Sequence, residues 1–140
     1  MKNKANEQLL MDFFEELKGP SLEETIRAYK KYCHQDIVWK NSGFPAVVGH
    51  DAVEHLLREQ KKLFDFERVK VLDHRLLASD GDYVFFERRD SIVNSADEVV
   101  YAFDIAGIFE IKNGQIIQWR DYMDTSEVRS NWEEGSFKSL

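Results

Sequence analysis

From Phe66 to Met123 the sequence alternates at period two, in four long runs separated by connections too short to hold a helix. The runs read as strands over Phe66–Ala78, Tyr83–Val93, Val99–Ile111 and Gln115–Met123. They are joined by Ser79-Asp80-Gly81-Asp82, by Asn94-Ser95-Ala96-Asp97 and by Asn113-Gly114. Asn-Gly between alternating apolar runs is a strong signal for a two-residue hairpin. A parallel connection needs a dozen or more residues, so these short links predict an antiparallel meander.

The first half reads as helices. Glu7–Lys18 places Leu9, Leu10, Phe13, Phe14 and Leu17 on one stripe and stops at Gly19-Pro20. Ser21-Leu22-Glu23-Glu24 has capping-box spacing and predicts a second helix to about His34. Ile37–Asn41 alternates as a short strand with Ile37, Trp39 and Asn41 on one side, and Ser42–Gly49 reads as a loop. Asp51 and Glu54 repeat the capping spacing at the start of a third helix, which runs to about Phe64. Thr125–Glu134 could add a short C-terminal helix or tail. Helices first and curved strands after predict an α+β fold: one domain over residues 1–140, a strongly curved antiparallel sheet with three N-terminal helices over its concave face, and a pocket between them.

Three charged residues interrupt that plan. Residues two apart on a strand share a face. One face of the second long strand reads Val84, Phe86, Arg88, Asp90, Ile92, and the matching face of the last reads Ile117, Trp119, Asp121, Met123. An isolated buried charge is very costly, so charges on a core-facing stripe imply pairing. An arginine between two carboxylates, one of which keeps its proton, is neutral as a group. It also holds a proton donor beside a proton acceptor, the requirement of general acid–base chemistry. The plainer alternative is an ion pair at the sheet rim. Arg89 and Arg120 have the opposite parity and belong with Glu87 and Glu110 on the solvated face.

Composition narrows the function classes. A net charge of −7, with basic residues scattered among acids, leaves no stripe to neutralise phosphates and argues against a nucleic-acid partner. The four histidines and one cysteine show no metal-ligand spacing, so neither a metal nor a cofactor is expected, and Cys33 has no internal disulfide partner. Met1–Gln8 is polar and no segment approaches a membrane span, which makes a reducing cytoplasm the expected location. Ten phenylalanines and three tryptophans are many for this length and suggest a packed shell or an interface. Tyr83, Phe85 and Tyr122 on the outer sheet face point to a homodimer.

The segments FERRD (86–90), YAFDIAGIF (101–109), WRDYMD (119–124) and GHDAVE (49–54) resemble the limonene epoxide hydrolase family, within the SnoaL-like and nuclear transport factor 2-like superfamily. With Asn41, the resemblance covers the chain from the first helix to about Asp124. It implies a one-step hydrolysis of a small apolar epoxide to a diol. In that scheme Asp121 is the base on water, Asp90 the acid to the epoxide oxygen, Arg88 the link between them and Asn41 an aid to positioning the water. Where the family has a water-positioning tyrosine, this chain has Trp39, whose indole donates a hydrogen bond but cannot accept one. Alternation and the resemblance together name Trp39, Phe14, Leu17, Phe64, Phe66, Val69, Ile92, Phe103, Ile105 and Met123 as the pocket wall.

Two other readings fit the same scaffold. A polyketide cyclase could rely on one aspartate such as Asp121. An isomerase is disfavoured by Lys40-Asn41 and Ala106-Gly107, where its acids are expected. A non-catalytic domain binding a small molecule would keep the triad for structure alone.

Overall fold

The computed structural model describes residues 1–126 and 128. Three helices, α1 (Lys4–Glu16), α2 (Leu22–Tyr32) and α3 (His50–Phe64), cover one face of a six-stranded sheet. Its strands are β1 (Cys33–Asn41), β2 (Val47–Val48), β3 (Phe66–Asp80), β4 (Tyr83–Asn94), β5 (Val99–Lys112) and β6 (Gln115–Tyr122). The expected C-terminal helix from Thr125 lies largely outside the described residues.

The helices begin where local hydrogen bonding allows. The Asn3 side chain accepts from the Asn6 backbone N–H, so α1 starts earlier than its apolar stripe. Ser21 bonds the Glu24 carboxylate instead of capping a backbone N–H. The cap of α3 is Gly49 at φ 89°, a conformation that glycine tolerates and Asp51 would not. Asp51 instead lies in the first turn, where its charge favours the helix dipole.

Strands β3 to β6 form the expected meander, and Asn113 (φ 52°) and Gly114 (φ 73°) make a turn with both central residues left-handed. The sheet order, β2-β1-β6-β5-β4-β3, departs from the expected all-antiparallel plan. β1 lies parallel to β6, and Val47–Val48, expected as loop, pairs antiparallel with β1. β2, α3 and strands β3 to β5 all intervene between β1 and β6, a connection long enough for the two to pair parallel. Register shifts at Phe66/Arg68, Val71/Asp73 and His74/Leu76 in β3–β4, and at Ile92/Val93 in β4–β5, mark bulges that bend the strands around the helices. Leu10, Phe13 and Phe14 of α1 and its C-cap Leu17 fill one end of the resulting cup, with Phe86, Phe109 and Trp119 beneath them.

Candidate active site

The alternation on β4 and β6 turns the three charged residues inward. Arg88 has no exposed surface, Asp121 is 4% exposed and Asp90 is 7% exposed. All three guanidinium nitrogens are engaged. Nε donates to Asp90 Oδ2 at 3.2 Å, Nη2 to Asp121 Oδ2 at 3.0 Å and Nη1 to the Phe86 carbonyl at 3.3 Å. Phe14, Phe86 and Phe109 surround the cation, with ring centres 4.7, 5.2 and 5.8 Å from Cζ. Burial works against the Arg88 charge, but Asp121 and Asp90 more than offset it and hold its pKa above the ordinary value.

β4 and β6 are not neighbours; β5 runs between them. Gly107 of β5 stands opposite Phe86 on one side and Asp121 on the other. A Cβ there would lie 2.7 Å from Arg88 Nη1 and 2.7 Å from Asp121 Oδ1. The arginine reaches the far strand only because this position carries no side chain.

The two carboxylates differ in their surroundings. Asp90 Oδ1 accepts the Ser91 backbone N–H at 2.9 Å. Burial pushes the Asp90 carboxyl up to about 6, with Asp121 adding to the rise and Arg88 opposing it. Asp121 Oδ1 has no partner among the described residues. Its backbone is held from β1's side: Asp121 O accepts from the Ser42 N–H at 3.1 Å, and Asn41 is its register partner. Ser42 Oγ accepts from the Met123 N–H, and Thr125 Oγ1 donates to the Ser42 carbonyl.

Above the triad is a cavity of about 60 Å³, lined by residues of α2, α3 and strands β1 and β3 to β6. One water needs roughly 10–15 Å³ of such space, so there is room for about four to six. Of the residues singled out from the sequence, Trp39, Asn41, Phe66, Val69, Asp90, Ile92, Phe103, Ile105, Asp121 and Met123 border it. Phe14, Leu17, Phe64 and Arg88 do not; Arg88 lies wholly beneath the surface of the cavity. Phe14 and Leu17 pack into the core, Phe14 against the far side of Arg88. Phe64 ends α3 just before the left-handed Asp65 and meets Tyr101 edge-on at 5.2 Å.

The helices also bring residues that strand alternation could not reveal, above all Tyr29 of α2 and Leu56, Leu57 and Gln60 of α3. The capping spacings at Ser21 and Asp51 predict both helices, but not which of their residues would face the cavity. Tyr29 stacks 5.8 Å from Trp119 and lies 5.4 Å from Trp39, and the two indoles stack on each other at 4.8 Å. Burial, together with the nearby Cys33, Asp90 and Asp121, keeps its phenol neutral, with a pKa well above the usual one. The indole nitrogens of Trp39 and Trp119 have no partner among the described residues.

An apolar chamber over one guanidinium and two unlike carboxylates has the groups that acid–base chemistry uses. Residues 5–134 match the limonene-1,2-epoxide hydrolase catalytic domain. A Mycobacterium tuberculosis (strain ATCC 25618 / H37Rv) protein, epoxide hydrolase EphG, is 36% identical over 93 residues, 66% of this chain. That match spans 58% of the relative's length. The structure of an M. tuberculosis LEH-like epoxide hydrolase superposes with a TM-score of 0.66 at 26% identity, covering 93% of this chain and 90% of the other. An NTF2-like protein from Burkholderia pseudomallei shares the fold at 14% identity, with a TM-score of 0.69 and coverage of 89% and 95%. The match along nearly all of its length places this chain in the limonene-1,2-epoxide hydrolase family.

Proposed function

We propose that this protein adds water to a small, largely apolar epoxide, giving a vicinal diol in one step by general acid–base catalysis. The observation that carries the reading is the asymmetry of the buried pair: burial pushes the Asp90 carboxyl up to about 6, so it keeps its proton to a higher pH than an ordinary aspartate, while Asp121 Oδ1 makes no hydrogen bond to a described residue. Water, placed by Asn41 and the Tyr29 phenol, attacks an epoxide carbon and passes a proton to Asp121. As the carbon–oxygen bond breaks, Asp90 gives its proton to the departing oxygen. Arg88 keeps its charge throughout, and the two acids reset by proton exchange with solvent after the diol leaves. Trp39 stacks on Trp119 and forms part of the wall, so its place in this scheme is to shape the pocket.

The test is a single turnover with cyclohexene oxide in ¹⁸O-labelled water. The diol carries the label and the protein does not; label in a carboxylate would overturn the one-step scheme. The pH dependence has a defined sign. Asp90 must be protonated to act as the acid, so kcat/KM falls as pH rises through about 6. A profile rising through that range would remove Asp90 from the acid role.

The same reading includes a homodimer through the outer sheet face. Tyr122, Tyr83 and Phe85 are 53%, 40% and 36% exposed there, and Leu76 and Tyr122 flank the Glu87–Ala106 pair across the strands. Sedimentation at micromolar concentration is expected to give twice the chain mass. Phe85→Arg with Tyr122→Arg should reduce it to the monomer; a monomeric parent protein would refute this part.

A further inference from the structure

Nine buried polar or charged residues sit among the described ones, and most are satisfied by protein partners. Glu7 bonds Ser79, Thr25 the Glu67 carbonyl, Ser91 the Lys70 carbonyl and Thr125 the Ser42 carbonyl, and Arg88 pairs with both Asp90 and Asp121, leaving Asp121 Oδ1 as the triad's one unpaired oxygen among the described residues. Asn41 and Gln60 differ: neither side-chain amide makes a hydrogen bond to another described residue, and both border the cavity. Asn41 is the register partner of Asp121 and is accounted for by the proposed water. Gln60 is not. It comes from α3 on the buried face otherwise made of Val53, Leu56 and Leu57, and is 5% exposed. Its amide is not among the fully enclosed unpartnered atoms, so it opens onto the cavity; leucine would complete an apolar wall there, whereas an amide offers a hydrogen bond to whatever enters, water or ligand.

We infer that Gln60 is a specificity residue, and that the substrate is an epoxide bearing a second, uncharged oxygen function (hydroxyl, ketone or ester) that hydrogen-bonds its amide. The inference rests on the hydrolytic reading for the epoxide and on Gln60 alone for the oxygen. Both ends of the amide are available, so an acceptor oxygen or a hydroxyl can be met. A substrate anion is excluded by the lining, which holds Asp90 and Asp121 and no lysine or arginine. A plain hydrocarbon epoxide would strand the amide and bind less well.

The test separates recognition from chemistry. Cyclohexanone and methylenecyclohexane differ only in an oxygen for a methylene, and neither can react as an epoxide. Trp39 and Trp119 border the cavity, so titration is followed by tryptophan fluorescence of the full chain. The ketone is expected to bind at least about tenfold more tightly than the alkene, the loss expected when a buried hydrogen-bonding group goes unpaired. Gln60→Met and Gln60→Leu, both close in volume, should bring the two ligands within about twofold of each other. Equal binding by the parent protein, or a preference that survives in both variants, would overturn the assignment. In parallel, kcat/KM for 2,3-epoxycyclohexan-1-ol relative to cyclohexene oxide should fall in the same variants. A Gln60-dependent ketone preference without turnover of either epoxide would sink the hydrolase reading and keep the recognition site; turnover without the preference would do the reverse.

Discussion

Asp121→Asn is expected to lower kcat for epoxide opening by about 10²–10⁴-fold, the range for loss of a positioned base, with little change in KM. The substitution keeps the shape of the side chain, and its carbonyl can still face Arg88 Nη2, so packing should persist. Two functions nevertheless fail together. The water loses its proton acceptor, and Asp90 loses the neighbouring negative charge that helps hold its pKa up, so it ionises more readily and ceases to be an acid. For that reason Asp90→Asn added to Asp121→Asn should cost little more than either alone, as expected of residues that act as a unit. Steady-state diol formation by the two single variants and the double variant checks this. Activity of Asp121→Asn within tenfold of the parent would place the base elsewhere.

Arg88→Leu is expected to destabilise the fold by about 3–5 kcal/mol near neutral pH, since it leaves buried acids without their cation. For a domain of this size that is roughly 10–20 °C in melting temperature. The pH dependence distinguishes this from a simple packing loss. Asp90 already has a raised pKa in the fold, so its native form holds a proton that the unfolded chain has given up between its ordinary pKa of 3.8 and about 6. Its contribution therefore favours the native state at low pH and is lost as pH rises through that window. Removing Arg88, which opposes the rise, should strengthen the trend, and the variant should recover stability on acidification. Replacing all three residues by apolar ones should instead give a protein at least as stable as the parent but inactive, because buried ion pairs are often poorer stabilisers than packed hydrocarbon. A triply substituted protein that still opened epoxides would reduce the triad to a structural device. Thermal melts at three pH values, with the diol assay beside them, read both outcomes.

The parts of this molecule legible in the sequence are those governed by local periodicity. Strand alternation alone turned Arg88, Asp90 and Asp121 to the same side as Phe86 and Trp119, because successive side chains must alternate. The Asn113-Gly114 turn was legible because few other residue pairs tolerate two left-handed conformations in succession. What stayed hidden depends on distant partners. Nothing within Cys33–Asn41 announces that it will lie parallel to β6, since pairing over some eighty residues leaves no local mark. Helical stripes identify buried faces but not their counterparts, so Phe14 and Leu17 could be named as wall when they are core, and Tyr29 and Gln60 could be overlooked. In the sequence Gly107 stands out as part of a family-like segment and as a position without an acid; its reason, the space for a guanidinium to pass, appears once β5 is known to separate β4 from β6.

The position of β6 sets a timetable. It is the sixth strand made yet lies third in the sheet, wedged between β1 and β5. Until it inserts, both neighbours present bare edges, and Arg88 has Asp90 for company but nothing on its other flank. The three charged side chains are thus brought together only when β6 is seated, and a chain that stops before Gln115 leaves an open seam along β1 and β5 that favours capture of other strands.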